Sequence, residues 1–226
     1  MRSLKGYPLF WKGAPRITWG DNRVSLTLGG REKHVTPTQR PITIVAGLPR
    51  SGTSLMMQML DAGGMPVLTD QIRQPDDDNP RGYYEFEAVK KVKEEPAWLE
   101  RAPGHAVKMV YRLLYDLPGG YTYQVVFTRR KLEEVVASQE TMLQRSGKGG
   151  SAVDEAQLVA IYRRQLEQFD AWIESLPNFS ILYVDHHEVL NDTERVAHNL
   201  NQFLGGQLDV EAMTRVPDRS LHRQKR

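Results

Sequence analysis

Four short apolar runs, separated by longer amphipathic stretches, dominate the pattern of this chain. They are ITIVA at 42–46, AVKMV at 106–110, QVVFT at 124–128 and SILYV at 180–184. Each run is short and ends at a turn or a polar residue, so each is predicted to be a buried β-strand. Strands that alternate with helices form a mostly parallel sheet with helices on both faces. The pattern therefore predicts a three-layer α/β fold.

Helical periodicity fills much of the space between and after these strands. The first helix is predicted from about Thr53 to Ala62, with Leu55 and Met59 on one face. Further helices are predicted over about 132–143, 153–174 and 194–204. Their apolar positions are expected to cover the two faces of the sheet.

Two segments break the alternation of strand and helix. Residues 1–40 include RITWGDNRVSLTLGG, whose alternating pattern and Gly20-Asp21-Asn22 turn predict a β-hairpin. We expect this segment to be an N-terminal arm, outside a single domain formed by residues 41–226. Residues 71–105 are polar and irregular, and a structureless segment of that length in a compact domain is typically a lid or a binding loop.

Composition narrows the possible partners. The chain has 226 residues, with 30 Lys and Arg against 28 Asp and Glu, so its charge is too balanced to favour nucleic acid or membrane as a main partner. It has no Cys, which excludes disulfides, Cys-ligated zinc and a thiol nucleophile. No stretch approaches the roughly 20 apolar residues of a membrane span, and the N-terminal apolar run is too short for a signal peptide. The expected protein is soluble and cytoplasmic, with its oligomeric state undetermined.

The turn after the first predicted core strand has the outline of a phosphate-binding loop. In VAGLPRSGTSLMMQML, residues 45–60, Gly47 and Gly52 are separated by four residues, as in the pattern G-x-x-x-x-G-K-[ST]. Thr53 stands where that pattern has Lys, and the cation inside the loop is Arg50.

A helix that begins just after such a loop favours anions, because its first N–H groups are unpaired and its dipole is positive there. Ser51, Thr53 and Ser54 add hydroxyl groups, and Gly52 allows close approach of the backbone. An ordinary strand-to-helix turn explains less of this run of residues than an anion site does.

The segment GLPRSGTSLMMQMLDAGG, residues 47–64, resembles the 5′-phosphosulfate loop of sulfotransferases, the enzymes that use 3′-phosphoadenosine 5′-phosphosulfate (PAPS). It is most similar to the loop of the tyrosylprotein sulfotransferases and their bacterial relatives. Those loops carry their cation where Arg50 stands, and no Lys follows the second Gly. The resemblance implies a P-loop-type fold with PAPS as co-substrate and no metal. It assigns the cofactor loop to Arg50, Ser51, Gly52, Thr53 and Ser54.

A second motif, VVFTRRKLEEVVASQ at 125–139, resembles the part of the family that binds the 3′-phosphate. The family uses an Arg at the end of a strand and a Ser eight residues later, and Arg130 and Ser138 have that spacing. Lys131-Leu132 replaces the Asp-Pro that often follows the Arg, and Arg129 is an alternative to Arg130.

The resemblance also suggests catalytic residues. Lys108 matches a family Lys at the end of a strand, although Met109-Val110 differs from what usually follows it. Arg50 and Lys108 are expected to neutralise the oxygen that leaves with 3′-phosphoadenosine 5′-phosphate (PAP). Asp70 is the candidate base, because the tyrosylprotein enzymes carry a Glu in the corresponding stretch. The alternatives for the base are Glu85 and Glu87, and the residues expected to line an acceptor pocket are Tyr83, Tyr84 and Phe86.

The predicted function is transfer of the sulfuryl group from PAPS to a hydroxyl or amine of an unidentified acceptor, with release of PAP. One alternative is a P-loop kinase that uses ATP, with Asp185 binding magnesium at the end of SILYVD. The other is a PAP- or nucleotide-binding module without catalysis. His186 and His187 follow the same strand and are predicted to be capping or surface residues rather than metal ligands.

Overall fold

The computed structural model describes residues 16–20, 23–28, 31–35, 40–70, 72–73, 76, 79, 82–145, 147 and 154–218. The chain divides into two compact units, Met1–Gln39 and Arg40–Arg226. The predicted turn at Asp21-Asn22, Asp77-Asp78 in the 71–105 segment and the basic end 219–226 lie outside the described residues. The assignment of a separate arm and a single domain stays a prediction.

The first unit contains an antiparallel sheet of three described strands: β1 (Arg16–Gly20), β2 (Arg23–Leu28) and β3 (Arg31–Val35). The strands β1 and β2 pair with Ile17 opposite Leu26, in the segment predicted as a hairpin. The third strand, REKHV, was not predicted, because its mostly charged sequence lacks the alternation of a half-buried strand.

The second unit is built on a parallel sheet. Within the described residues its strands lie in the order β5-β6-β4-β7-β8. They are β4 (Ile42–Gly47), β5 (Val67–Leu68), β6 (Ala106–Val110), β7 (Tyr123–Arg129) and β8 (Phe179–Asp185). All four predicted strands are present, and β5 adds a short edge strand that pairs in parallel with β6. The predicted mostly parallel α/β fold is therefore confirmed.

Helices cover both faces of this sheet. They are α1 (Thr53–Ala62), α2 (Leu132–Arg145), α3 (Glu155–Glu174), α4 (His186–Asn191), α5 (Thr193–Phe203) and α6 (Val210–Thr214). The short helices α4 and α6 were not predicted, since five or six residues carry too little periodicity to be recognised. No helix in the described part of the chain combines the length and the apolar composition needed to cross a bilayer.

Two hydrophobic clusters fill the layers, and alternate residues of β4 belong to different clusters. Ile44 faces the cluster formed with α2 and α3, which includes Val135 and Phe169. Val45 faces the cluster formed with α1, α5 and α6, which includes Met57. Since successive side chains of a strand point to opposite faces, the sheet is buried on both sides.

Residues 82–105 are not the structureless segment that the sequence predicted. They contain two 3₁₀ helices, Glu87–Lys91 and Pro96–Arg101. Leu99 is fully buried, and Trp98 packs edge-to-face against Phe86 at 5.8 Å between ring centres. The prediction was wrong here because a 3₁₀ turn buries isolated apolar residues that do not form a helical or strand-like pattern.

We expect Phe169→Ala to lower the free energy of unfolding by about 3–5 kcal/mol. Phe169 is fully buried on α3, and its ring lies 4.9 Å from that of Phe127 and 5.5 Å from that of Tyr111. Ile161→Ala on the same helix, where the side chain is 45% exposed, is the control and should change the value by less than about 0.5 kcal/mol. Denaturant unfolding of both variants measures the difference, and equal losses would contradict this account of the core.

Candidate anion-binding site

The loop that joins β4 to α1 lies at the carboxyl edge of the parallel sheet. The strand β4 occupies the middle of the sheet, between β6 and β7, and ends at Gly47. Open α/β sheets bind ligands along this edge. The loop of residues 48–52 therefore lies within reach of residues at the ends of β6 and β7.

The loop turns tightly because Gly47 has no side chain. A Cβ atom at Gly47 would lie 2.5 Å from both Ser51 Oγ and Thr128 Oγ1. Ser51 Oγ donates to the carbonyl of Leu48 at 2.7 Å and shares a hydrogen bond of 2.7 Å with Thr128 Oγ1. The buried Ser51 hydroxyl thus fastens the loop to β7, and its expected role as a donor to a ligand stays a prediction. Thr128 was not singled out in the sequence.

Two residues of the loop have left-handed backbone conformations. Gly52 has a φ of 103° and precedes α1, and Arg50 has a φ of 75°. For Arg50, which carries a Cβ, this conformation costs on the order of 1–2 kcal/mol. Gly52 offers no side chain to cap α1, so the N–H groups at its start, beginning with Thr53, are oriented to receive an anion.

The structure brings the two predicted nucleotide motifs into contact. Arg50 Nε donates to Ser138 Oγ at 3.0 Å, and Arg130 Nη1 donates to the carbonyl of Arg50 at 3.3 Å. Arg129 is directed elsewhere, since its Nη2 contacts both carboxylate oxygens of Asp170 at 2.6 Å. Of the two candidate arginines, Arg130 is the one that contacts the loop.

A buried carboxylate supports Arg130. Glu134 is fully buried on α2, and its Oε2 accepts from Arg130 Nε at 2.8 Å. Its Oε1 lies 2.9 Å from Nε2 of His187 on α4. Sequence reasoning missed both supports. An acid four residues after Arg130 is a weak local signal for Glu134, but nothing in the sequence signals His187.

Lys108 lies beside the start of α1. Its side chain is 15% exposed, and its Nζ donates to the carbonyl of Tyr83 at 2.5 Å and lies 3.4 Å from Ser54 Oγ. Burial lowers the pKa of Lys108 to about 8, and the nearby carboxylate of Glu85 partly opposes that shift. Lys108 and Ser54, both predicted site residues, are therefore brought together.

The three candidate bases differ in their surroundings, and Glu87 accepts a hydrogen bond from Lys90 Nζ within the same 3₁₀ helix. Both carboxylate oxygens of Asp70 accept backbone N–H bonds, at 3.1 and 2.5 Å. Glu85 Oε1 instead accepts from Arg73 Nη1 at 3.0 Å and lies 3.8 Å from Lys108 Nζ. Glu85 is thus the carboxylate that contacts Lys108, while Asp70 binds the backbone of Ile72 and of Glu87, at the start of a 3₁₀ helix. The role of Asp70 as base stays a prediction.

The aromatic residues expected to line an acceptor pocket are largely internal. Tyr83 is 5% exposed, and its hydroxyl donates to Asp76 at 2.6 Å. Burial, assisted by the Asp76 hydrogen bond, raises the pKa of Tyr83 to about 12. Phe86 belongs to the hydrophobic core, and the Tyr84 hydroxyl donates to Asp61 at 2.8 Å. The ring of Phe86 packs edge-to-face against Trp98, and its expected place in an acceptor pocket stays a prediction.

Asp185, the magnesium ligand of the kinase hypothesis, caps a helix. Its Oδ1 accepts from the backbone N–H groups of His187 at 2.8 Å and Glu188 at 3.2 Å, at the start of α4. Within the described ranges, no group of three or more His, Asp or Glu side chains is arranged to hold a metal ion.

Comparison with known proteins gives matches at the level of structure alone. No protein-family profile matches the chain, and no curated protein matches its sequence. The mouse sulfotransferase SULT7A1, solved in complex with PAP, is similar with a TM-score of 0.50 and 12% identity, over 80% of this chain and 63% of that one. Sulfotransferase STF1 from Mycobacterium tuberculosis H37Rv is similar with a TM-score of 0.51 and 21% identity, over 78% of this chain and 71% of that one.

This chain therefore spans less than two thirds of the length of the mouse protein. Identities this low establish similarity of fold and not of activity. The fold expected from the loop sequence is confirmed: the chain adopts the fold of the PAPS-dependent sulfotransferases.

Proposed function

We propose that this protein is a sulfotransferase that moves the sulfuryl group of PAPS to a hydroxyl or amine of an acceptor and releases PAP. The observation that carries the proposal is the contact of Arg50 with both Arg130 and Ser138. The loop lacks the P-loop lysine, but this contact joins it to a second cation, Arg130. ATP has no 3′-phosphate for that position to hold, whereas PAPS has one.

The charges of the site suit such a transfer. Arg50 lies in the loop, and Lys108 approaches from β6 beside Ser54. During transfer the bond between sulfur and the 5′-phosphate oxygen breaks, and a bond between sulfur and the acceptor oxygen or nitrogen forms. The leaving oxygen becomes more negative, and prealigned cations stabilise that charge. We assign this role to Arg50 and Lys108.

The acceptor must lose a proton as its bond to sulfur forms, and we propose Glu85 as the base that receives it. Glu85 Oε1 is 3.8 Å from Lys108 Nζ, so its carboxylate lies next to a residue of the proposed transfer site. Asp70, favoured by its position in the sequence, remains the alternative. A base must first lie within hydrogen-bonding distance of the proton that it removes, and only then does its pKa matter. The contacts around Lys108 therefore favour Glu85.

PAP is expected to stabilise the folded protein more than ADP does, in buffer that contains EDTA. A ligand at about 100 times its Kd adds roughly 2.7 kcal/mol to the free energy of unfolding. Arg130→Ala should abolish the preference for PAP, because the 3′-phosphate loses its cation. Arg163→Ala, which removes an exposed arginine of α3, is the control. Thermal-shift titration measures the difference, and equal shifts with PAP and ADP in the wild type would refute the proposed function.

The kcat/KM for PAPS should fall as the pH rises through about 8, the pKa to which burial lowers Lys108. This ratio reports the ionisation of the free enzyme, in which Lys108 is cationic below that pH and neutral above it. Lys108→Arg keeps its charge throughout the accessible range and should remove the fall. A pH profile with labelled PAPS makes the comparison. The same fall in Lys108→Arg would show that another group titrates.

Glu85→Gln should slow single-turnover transfer by roughly a hundredfold and leave the affinity for PAP unchanged. The substitution keeps the shape of the side chain and removes its basic carboxylate. Asp70→Asn, the matched variant, should transfer at nearly the rate of the wild type. The measurement uses labelled PAPS with an acceptor found by screening. If Asp70→Asn is slow and Glu85→Gln is not, the base is Asp70.

A further inference from the structure

We infer that His187 is a positioning residue of the nucleotide site: by holding one oxygen of Glu134, it keeps the guanidinium of Arg130 turned toward the loop. The inference rests on the proposed function, because it takes Arg130 as the cation for the 3′-phosphate. His187 itself is assigned no contact with the nucleotide.

The two oxygens of Glu134 have different partners. Oε2 accepts from Arg130 Nε at 2.8 Å, and Oε1 lies 2.9 Å from His187 Nε2. The carboxylate therefore meets the side of the guanidinium at Nε, while Nη1 donates to the carbonyl of Arg50 at 3.3 Å. In this arrangement Glu134 binds Arg130 at Nε, and the terminal nitrogen Nη1 of Arg130 contacts the loop.

A carboxylate beside an arginine otherwise favours two parallel hydrogen bonds to the guanidinium. Glu134 is fully buried and its Oε1 lies 2.9 Å from His187 Nε2, so His187 limits how the carboxylate can turn relative to Arg130. A carboxylate that turns more freely can pair with Arg130 in another geometry, which shifts the guanidinium from the position in which Nη1 donates to the Arg50 carbonyl. His187 prevents it by occupying Oε1.

His187 is itself fixed by its own helix. Its backbone N–H donates to Asp185 Oδ1 at 2.8 Å, at the start of α4. The preceding residue, His186, packs on the loop so closely that a Cβ atom at Gly52 would lie 2.7 Å from its Cδ2. The helix α4 thus contacts the loop through His186 and Glu134 through His187. Both contacts are therefore positioned by the same helix.

The test compares affinity for PAP with affinity for AMP, which differs from PAP only by the missing 3′-phosphate. His187→Leu keeps the charge of Glu134 and removes the contact at its Oε1, so it should weaken PAP binding by about tenfold, the order of the effect when a hydrogen bond to a charged group is lost. AMP binding should stay nearly unchanged. His187→Gln, whose amide N–H can donate to Glu134, should restore most of the affinity for PAP. Calorimetric titration gives the dissociation constants.

His198→Leu is the matched control, because His198 is exposed on α5, and it should alter neither affinity. Thermal unfolding without ligand checks that each variant is folded. Equal weakening of PAP and AMP in His187→Leu, no weakening of PAP, or no recovery in His187→Gln would overturn the inference while the wild type still prefers PAP. A wild type that binds PAP and AMP equally would instead refute the proposed function, and the inference with it.

Discussion

The missing side chain of Gly47 is the constraint on which the site depends. At this point the backbone of the central strand passes so close to Ser51 and Thr128 that a methyl group would collide with both hydroxyls. Their mutual hydrogen bond ties the loop to β7. With the loop held there, Arg50 meets Ser138 of α2. A larger residue at Gly47 would displace the loop from Thr128 and with it the contact of Arg50 with Ser138.

The cations around the loop are kept in place by different means. Arg130 is held by a fully buried carboxylate, Arg50 by the hydroxyl of Ser138, and Lys108 by a backbone carbonyl and a nearby Glu85. A site for an anionic nucleotide needs positive charge, yet clustered cations repel one another before the ligand arrives. Pairing one arginine with Glu134 and lowering the pKa of Lys108 both reduce that repulsion.

The segment after residue 82 forms one wall of the site because it is packed. Trp98 and Leu99 are buried in the same core as the central strand. This packing fixes the chain that carries the Tyr83 carbonyl and the Glu85 carboxylate to Lys108. A hydrogen-bonded wall of this kind positions a carboxylate more firmly than a mobile lid would, as the role that we propose for Glu85 requires.

The sequence by itself determined the strands β4, β6, β7 and β8, most residues of the helices α1, α2, α3 and α5, and the loop, because these depend on local properties. Apolar runs predict buried strands, and a glycine-framed turn before an apolar helix predicts an anion site. The tertiary structure alone decided which polar groups meet. Arg130 rather than Arg129 contacts the loop, and His187 meets Glu134 across 53 residues of sequence. Such pairs follow from the strand order β6-β4-β7-β8 and from where each helix packs. A local sequence pattern indicates which face of an element is buried, but not which distant side chain packs against that face.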